Sequence, residues 1–109
     1  VTDVHRHFEL ACHLDDIKPG SARRVDIGDH RIALVRIGDE VYALGDRCSH
    51  ADYSLSEGDV WEDEREIECP KHGSTFSLLN GKPQTLPATK PVPTYRVEVR
   101  GEEIWVEVG

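Results

Sequence analysis

The chain has 109 residues, of which 38% are hydrophobic and 31% charged, and its formal net charge is −8. That length suits one domain with a modest core, so a second catalytic domain is not expected. No run approaches the ~20 apolar residues of a membrane helix, and so acidic a balance repels a phosphate backbone and attracts basic protein surfaces, so neither membrane nor nucleic acid is an expected partner. The opening VTDVHRHFELA lacks the apolar stretch of a signal peptide, which sets the expectation of a cytoplasmic protein.

In chain order, residues 8–12 read as a strand and 15–18 as a single helical turn. RIALVRI (31–37) and EVYALG (40–45) form a hairpin about Gly38-Asp39, with Ile32, Leu34, Val35, Ile37, Val41 and Leu44 as its apolar set. From Gly45 to about Leu86 the apolar periodicity fades and Gly, Ser, Asp and Pro become dense. This segment is expected to be loop-rich and to bury too few side chains to order itself against its conformational entropy, so that something else must organise it, a metal site being the obvious candidate. Within it, EDEREIE (62–68) reads as a solvated turn and strand. YRVEVR (95–100) and EIWVEV (103–108) alternate across a tight turn and should face Val97, Val99, Ile104, Val106 and Val108 to one side. Tyr95 and Trp105 break that alternation, and Trp61 and Trp105 are both expected in the core. Turn signals recurring every eight to twelve residues make the whole pattern all-β.

Three cysteines, an odd number, argue against a disulfide framework and for a metal or redox role, with Cys12 left over as a small buried hydrophobe. The other two lie in CSHADYSLSEG (48–58) and ECPKHGSTF (68–76), which supply a C-x-H pair, Cys48 and His50, and a C-x2-H pair, Cys69 and His72. Thiolate with imidazole excludes calcium and magnesium and leaves zinc, copper or an iron-sulfur centre. Zinc fingers usually group cysteine with cysteine and histidine with histidine, whereas each element here carries one of each. That mixed order suits two irons, one held by thiolates and the other by imidazoles, while a zinc-stabilised interaction module stays open as the reading of another class.

The two boxes resemble the cluster-binding boxes of Rieske proteins, and LPATKPVPTYRVEVRGEEIWVEV is similar to the ending of stand-alone Rieske-type ferredoxins. The resemblance runs from about Val25 to the end. It implies a Rieske fold, a two-layer antiparallel β-sandwich whose base (1–45 and 87–109) carries an inserted cluster-binding subdomain at 46–86. It also implies one [2Fe–2S] cluster per chain, with Cys48, Cys69, His50 and His72 as ligands and the two histidines as the electron port. By the same likeness Ser74 donates a hydrogen bond to a bridging sulfide, and the proline-containing loop with Leu86 and Pro87 shields the cluster. High-potential relatives carry cysteines where this chain has Tyr53 and Lys71, and a tyrosine where it has Phe76. The loops therefore lack a covalent tie, and fewer sulfur-directed hydrogen bonds put the expected potential at the low end, near about −150 mV. The implied role is a monomeric one-electron carrier between a ferredoxin reductase and a terminal oxygenase, not itself a catalyst. A nitrite-reductase-like small subunit and a protein of iron-sulfur cluster assembly are the other carrier readings.

Of the remaining polar residues, Asp46 and Asp52 are expected to cap loops through side chain to backbone bonds. His5, His7 and His13 are expected to be solvated, and His30 to be exposed at its turn.

Overall fold

The computed structural model describes residues 8–47, 54–70, 73–84 and 90–108. Among them, ten strands form three antiparallel sheets joined by turns and two single 3-10 turns, so the all-β expectation is met. The first sheet joins β1 (Phe8–His13), β10 (Glu103–Glu107) and β9 (Val97–Arg100) in that order. The second joins β2 (Ser21–Ile27), β3 (His30–Ile37), β4 (Glu40–Gly45) and β8 (Thr94–Tyr95). A small third sheet is built from β5 (Val60–Trp61), β6 (Glu66–Glu68) and β7 (Thr75–Ser77).

The second sheet is the middle layer. One of its faces packs Ile27, Ile32, Leu34 and Ala43 against Ile104 and Val106 of the first sheet, with Ile17 closing the edge. Its other face packs Val35, Ile37 and Leu44 against Leu55, Ile67, Cys69, Phe76, Leu78 and Val92. A strand covered on both faces loses its alternation, and Ile32, Ala33, Leu34 and Val35 are accordingly all fully buried in sequence. The segment after Gly45 thus differs from the expectation of a poorly buried loop region: it contributes its own sheet and several of the largest buried side chains. The periodicity that hides this is short, because β5, β6 and β7 are two or three residues long.

Three further expectations are corrected. Residues 95–100 are not one strand: Tyr95 pairs with Ala43 of the middle sheet, whereas Val97 pairs with Val106 of the first, so the chain changes sheets at Arg96. That switch is why Tyr95 breaks the alternation. Val99, opposite Ile104 on the edge strand, remains exposed, and Trp105 lies on the outer face, half-buried under the Arg100 guanidinium 4.7 Å from its ring. Strand β2 is absent from the sequence reading, since the adjacent Arg23 and Arg24 interrupt the alternation that Val25 and Ile27 would otherwise display.

Candidate metal centre

The described residues on either side of the two Cys/His boxes are paired with one another, so the fold closes the chain at the base of each box. The first leaves β4 at Asp46 and returns at Ser54, where Arg47 and Ser54 form an isolated antiparallel bridge. Asp46 is 2% exposed and locks this base. Its Oδ1 accepts the Ser56 N–H at 2.9 Å, its Oδ2 accepts the Ser54 hydroxyl, and its carbonyl accepts the Leu55 N–H at 2.6 Å. The loop-capping role expected of Asp46 is therefore observed. Arg24 of β2 faces it, with Nε 4.0 Å from Asp46 Oδ2 and 3.2 Å from Asp26 Oδ1. The hydrogen bonds that Arg24 donates to Asp26 first, then the Asp26, Asp46 and Glu57 charges, raise the Arg24 pKa from its ordinary value.

The second box lies on the β6–β7 hairpin. The Cys69 N–H donates to the Ser74 carbonyl at 2.7 Å and the Gly73 N–H to the Cys69 carbonyl at 3.0 Å, a reversal that Gly73 permits with φ of 74°. Cys69 and Ser74 are fully buried, and Cys69 has a free thiol packed in the core that Phe76, Ile67 and Leu55 share.

Gly58 brings the two bases together. The Glu68 N–H donates to the Asp59 carbonyl at 2.8 Å, and a Cβ on Gly58 would lie 1.7 Å from the Glu68 carbonyl oxygen and 3.3 Å from that of Leu55. Its backbone, with φ of −86° and ψ of −179°, is open to any residue, so the glycine is required by contact and not by conformation. Sequence reasoning took Gly58-Asp59 for a turn signal and missed this approach, which depends on a partner ten residues away. The chemistry of the donor set fits an iron-sulfur group: a buried Cys69 thiol beside the buried Ser74, on a turn whose base meets, at Gly58, the segment that follows the other Cys/His pair in sequence. Cys48, His50, Asp52, Tyr53, Lys71, His72, Leu86 and Pro87 lie outside the described residues, as do His5 and His7.

Beside the second box, Trp61, Glu64, Glu66, Glu68, Gly73 and Thr75 line an open hollow of about 310 Å³. Trp61 is 46% exposed, against the expectation of a core residue, and its indole N–H donates to Glu68 Oε1 at 3.0 Å. His13 is exposed, as expected, whereas His30 is half-buried, edge-on to Tyr95 with ring centroids 5.7 Å apart. Cys12 is half-buried in β1; burial first, then the nearby Asp16 charge, raise its thiol pKa from its ordinary value, opposed by Arg23.

Residues 7–96 match the Rieske [2Fe-2S] domain family. A relative from Shigella boydii serotype 4 (strain Sb227), the 3-phenylpropionate/cinnamic acid dioxygenase ferredoxin subunit, is 45% identical over 98 residues, covering 90% of this chain and 91% of that one. Among solved structures, the ferredoxin of carbazole 1,9a-dioxygenase from Nocardioides aromaticivorans IC177 superposes with a TM-score of 0.90 at 38% identity, covering 94% of this chain and 98% of that one. A second, described as the complex of reduced oxygenase and oxidised ferredoxin in carbazole 1,9a-dioxygenase, gives 0.84 at 38% identity, covering 94% of each chain. A third, described as an NADH-dependent nitrite reductase small subunit from Mycobacterium tuberculosis, gives 0.85 at 26% identity and covers 98% of both chains. With the family matched over residues 7–96 and a relative 45% identical over 90% of its length, this chain belongs to the Rieske [2Fe-2S] domain family.

Proposed function

We propose that this protein is the ferredoxin component of a dioxygenase-type system, a one-electron carrier that takes electrons from a ferredoxin reductase and delivers them to a terminal oxygenase. The observation that carries this is the approach at Gly58, which sets the base of the first box against the end of β6, next to the buried Cys69 thiol. When bound, a [2Fe–2S] cluster supplies reversible one-electron chemistry at a potential set by hydrogen bonding and burial. Cys48 and Cys69 would hold one iron and His50 and His72 the other, with the two imidazoles as the outward-facing electron port. Ser74, buried next to Cys69, would act as a sulfur-directed donor, and Leu86 and Pro87 as the shield.

The chain is then a carrier and not an enzyme: its chemistry needs no nucleophile, general base or substrate pocket. The ferredoxin names of the relatives at 45% and 38% identity favour the dioxygenase system over a nitrite-reductase role, whose neighbour is less similar at 26%. Part of the same reading are one cluster per chain, a single domain with the cluster-binding segment at 46–86, a monomeric state and a cytoplasmic location. The low end of the Rieske range, near about −150 mV, remains the expected potential, because Phe76 has no hydroxyl to donate.

Absorption and EPR spectroscopy with metal analysis test the proposal. Two irons per chain, a reddish-brown oxidised form and a reduced signal with average g below 2 are expected. Stoichiometric zinc without iron would overturn it in favour of the zinc-stabilised module, and Cys69→Ser should abolish the iron signal.

A further inference from the structure

Asp46 is a carboxylate buried at the foot of the first box, two residues before Cys48. Both its backbone and its side chain are used: the Asp46 N–H donates to the Arg31 carbonyl at 3.0 Å, and the carbonyl and carboxylate accept from Leu55, Ser54 and Ser56 on the returning 3-10 turn. The Ser54 and Ser56 hydroxyls lie 2.8 Å apart, so the carboxylate heads a small polar chain inside the base of the loop. A loop clamp needs acceptors for one N–H and one hydroxyl, which a neutral amide side chain supplies in large part. Asp46 instead places a carboxylate in a nearly water-free position, a costly arrangement unless charge-assisted hydrogen bonds or a cation compensate. The serines provide the hydrogen bonds, and Arg24, 41% exposed, approaches to 4.0 Å and is shared with Asp26. Compensation by Arg24 is therefore partial, because its charge is more exposed to water and salt than the one it faces.

We infer that Asp46 is a positioning residue for the first box whose buried charge lowers the reduction potential of the bound cluster, and that Arg24 opposes it. The inference rests on the cluster reading above. A fixed anion near the site disfavours an added electron, and burial strengthens its effect by excluding water and salt. Arg24 acts in the opposite sense and more weakly, since solvent screens it.

Midpoint potentials of wild type, Asp46→Asn and Arg24→Gln, measured by protein-film voltammetry with iron content and EPR on each sample, test this. Asp46→Asn keeps an acceptor for the Ser56 N–H while removing the charge, and its reduction equilibrium is expected to rise about tenfold, ~59 mV for one electron. Arg24→Gln is expected to shift the midpoint downward by a smaller amount. Opposed signs separate an electrostatic role from a loosened loop, which would move both variants the same way. An iron-loaded Asp46→Asn at the wild-type midpoint, or two variants shifting in one direction, overturns the inference. If Asp46→Asn takes up no iron, Arg24→Gln decides alone: an unchanged or raised midpoint overturns the inference. A wild-type protein without iron would instead overturn the cluster reading itself.

Discussion

At the scale of single residues, Gly58 and Cys12 make the sharpest predictions. Alanine at 58 puts a methyl group on the Glu68 carbonyl with no change of backbone region needed, so the two loop bases must part. Gly58→Ala is expected to cost about 1–3 kcal/mol or more and to lower iron content, measured by urea titration and metal analysis. Gly101→Ala provides the contrast, because that position has φ of 63° and open space around it: strain alone should cost about 1 kcal/mol and leave the iron in place. For Cys12, burial and Asp16 favour the neutral thiol in the folded state. The folded protein then holds this proton where the unfolded chain has released it, so the stabilisation is complete below the ordinary thiol pKa of about 8.5 and is lost as pH rises through the higher folded value. Alkylation of Cys12, followed by mass spectrometry across pH 7–10, should lag that of a free cysteine peptide. Equal rates throughout would contradict the assignment, and Cys12→Ser should leave the visible spectrum unchanged.

At the scale of elements, the small sheet β5–β6–β7 shares one core with the middle sheet, through Phe76, Ile67 and Leu55 against Val35 and Leu44. Removing the Phe76 ring is therefore expected to destabilise the base as well as the metal-binding segment. Phe76→Ala should cost about 3–5 kcal/mol, with fluorescence and far-UV circular dichroism reporting one coincident transition. Two separated transitions would show that the segment folds independently. The same continuity bears on metal removal: because the segment buries its own apolar side chains, stripping the metal with a chelator should leave the strand signature of the circular dichroism spectrum intact. Collapse of that signature would restore the view that the metal alone organises residues 46–86.

At the scale of the whole molecule, net charge and its placement govern association. The chain carries −8, and Glu64, Glu66 and Glu68 stand around Trp61 directly beside the second box. Electron transfer to a basic partner should accordingly be fast at low salt and fall at least about tenfold in second-order rate as ionic strength rises from 0.01 to 1 M, over which the Debye length shrinks from about 30 to 3 Å. Stopped-flow measurement of ferredoxin oxidation by an oxygenase checks this, and a salt-independent rate would remove electrostatic steering from the account.

The residues themselves determined what depends on side-chain type at short range. The Cys/His pairs limit the metal by ligand chemistry, the acidic balance favours basic over acidic partner surfaces, the hairpin at 31–45 follows from two apolar runs about Gly38-Asp39, and that at 97–107 from alternation across Gly101-Glu102. What the tertiary structure decided depends on pairs distant in sequence. The double burial of β3, the change of sheet at Arg96, the outward turn of Trp61 and Trp105, and the fit of Gly58 against Glu68 all follow from which sheet covers which. No local pattern encodes such facts, because burial on a second face and the space available to a Cβ are set by the partner strand, and partners are chosen only when the whole chain packs.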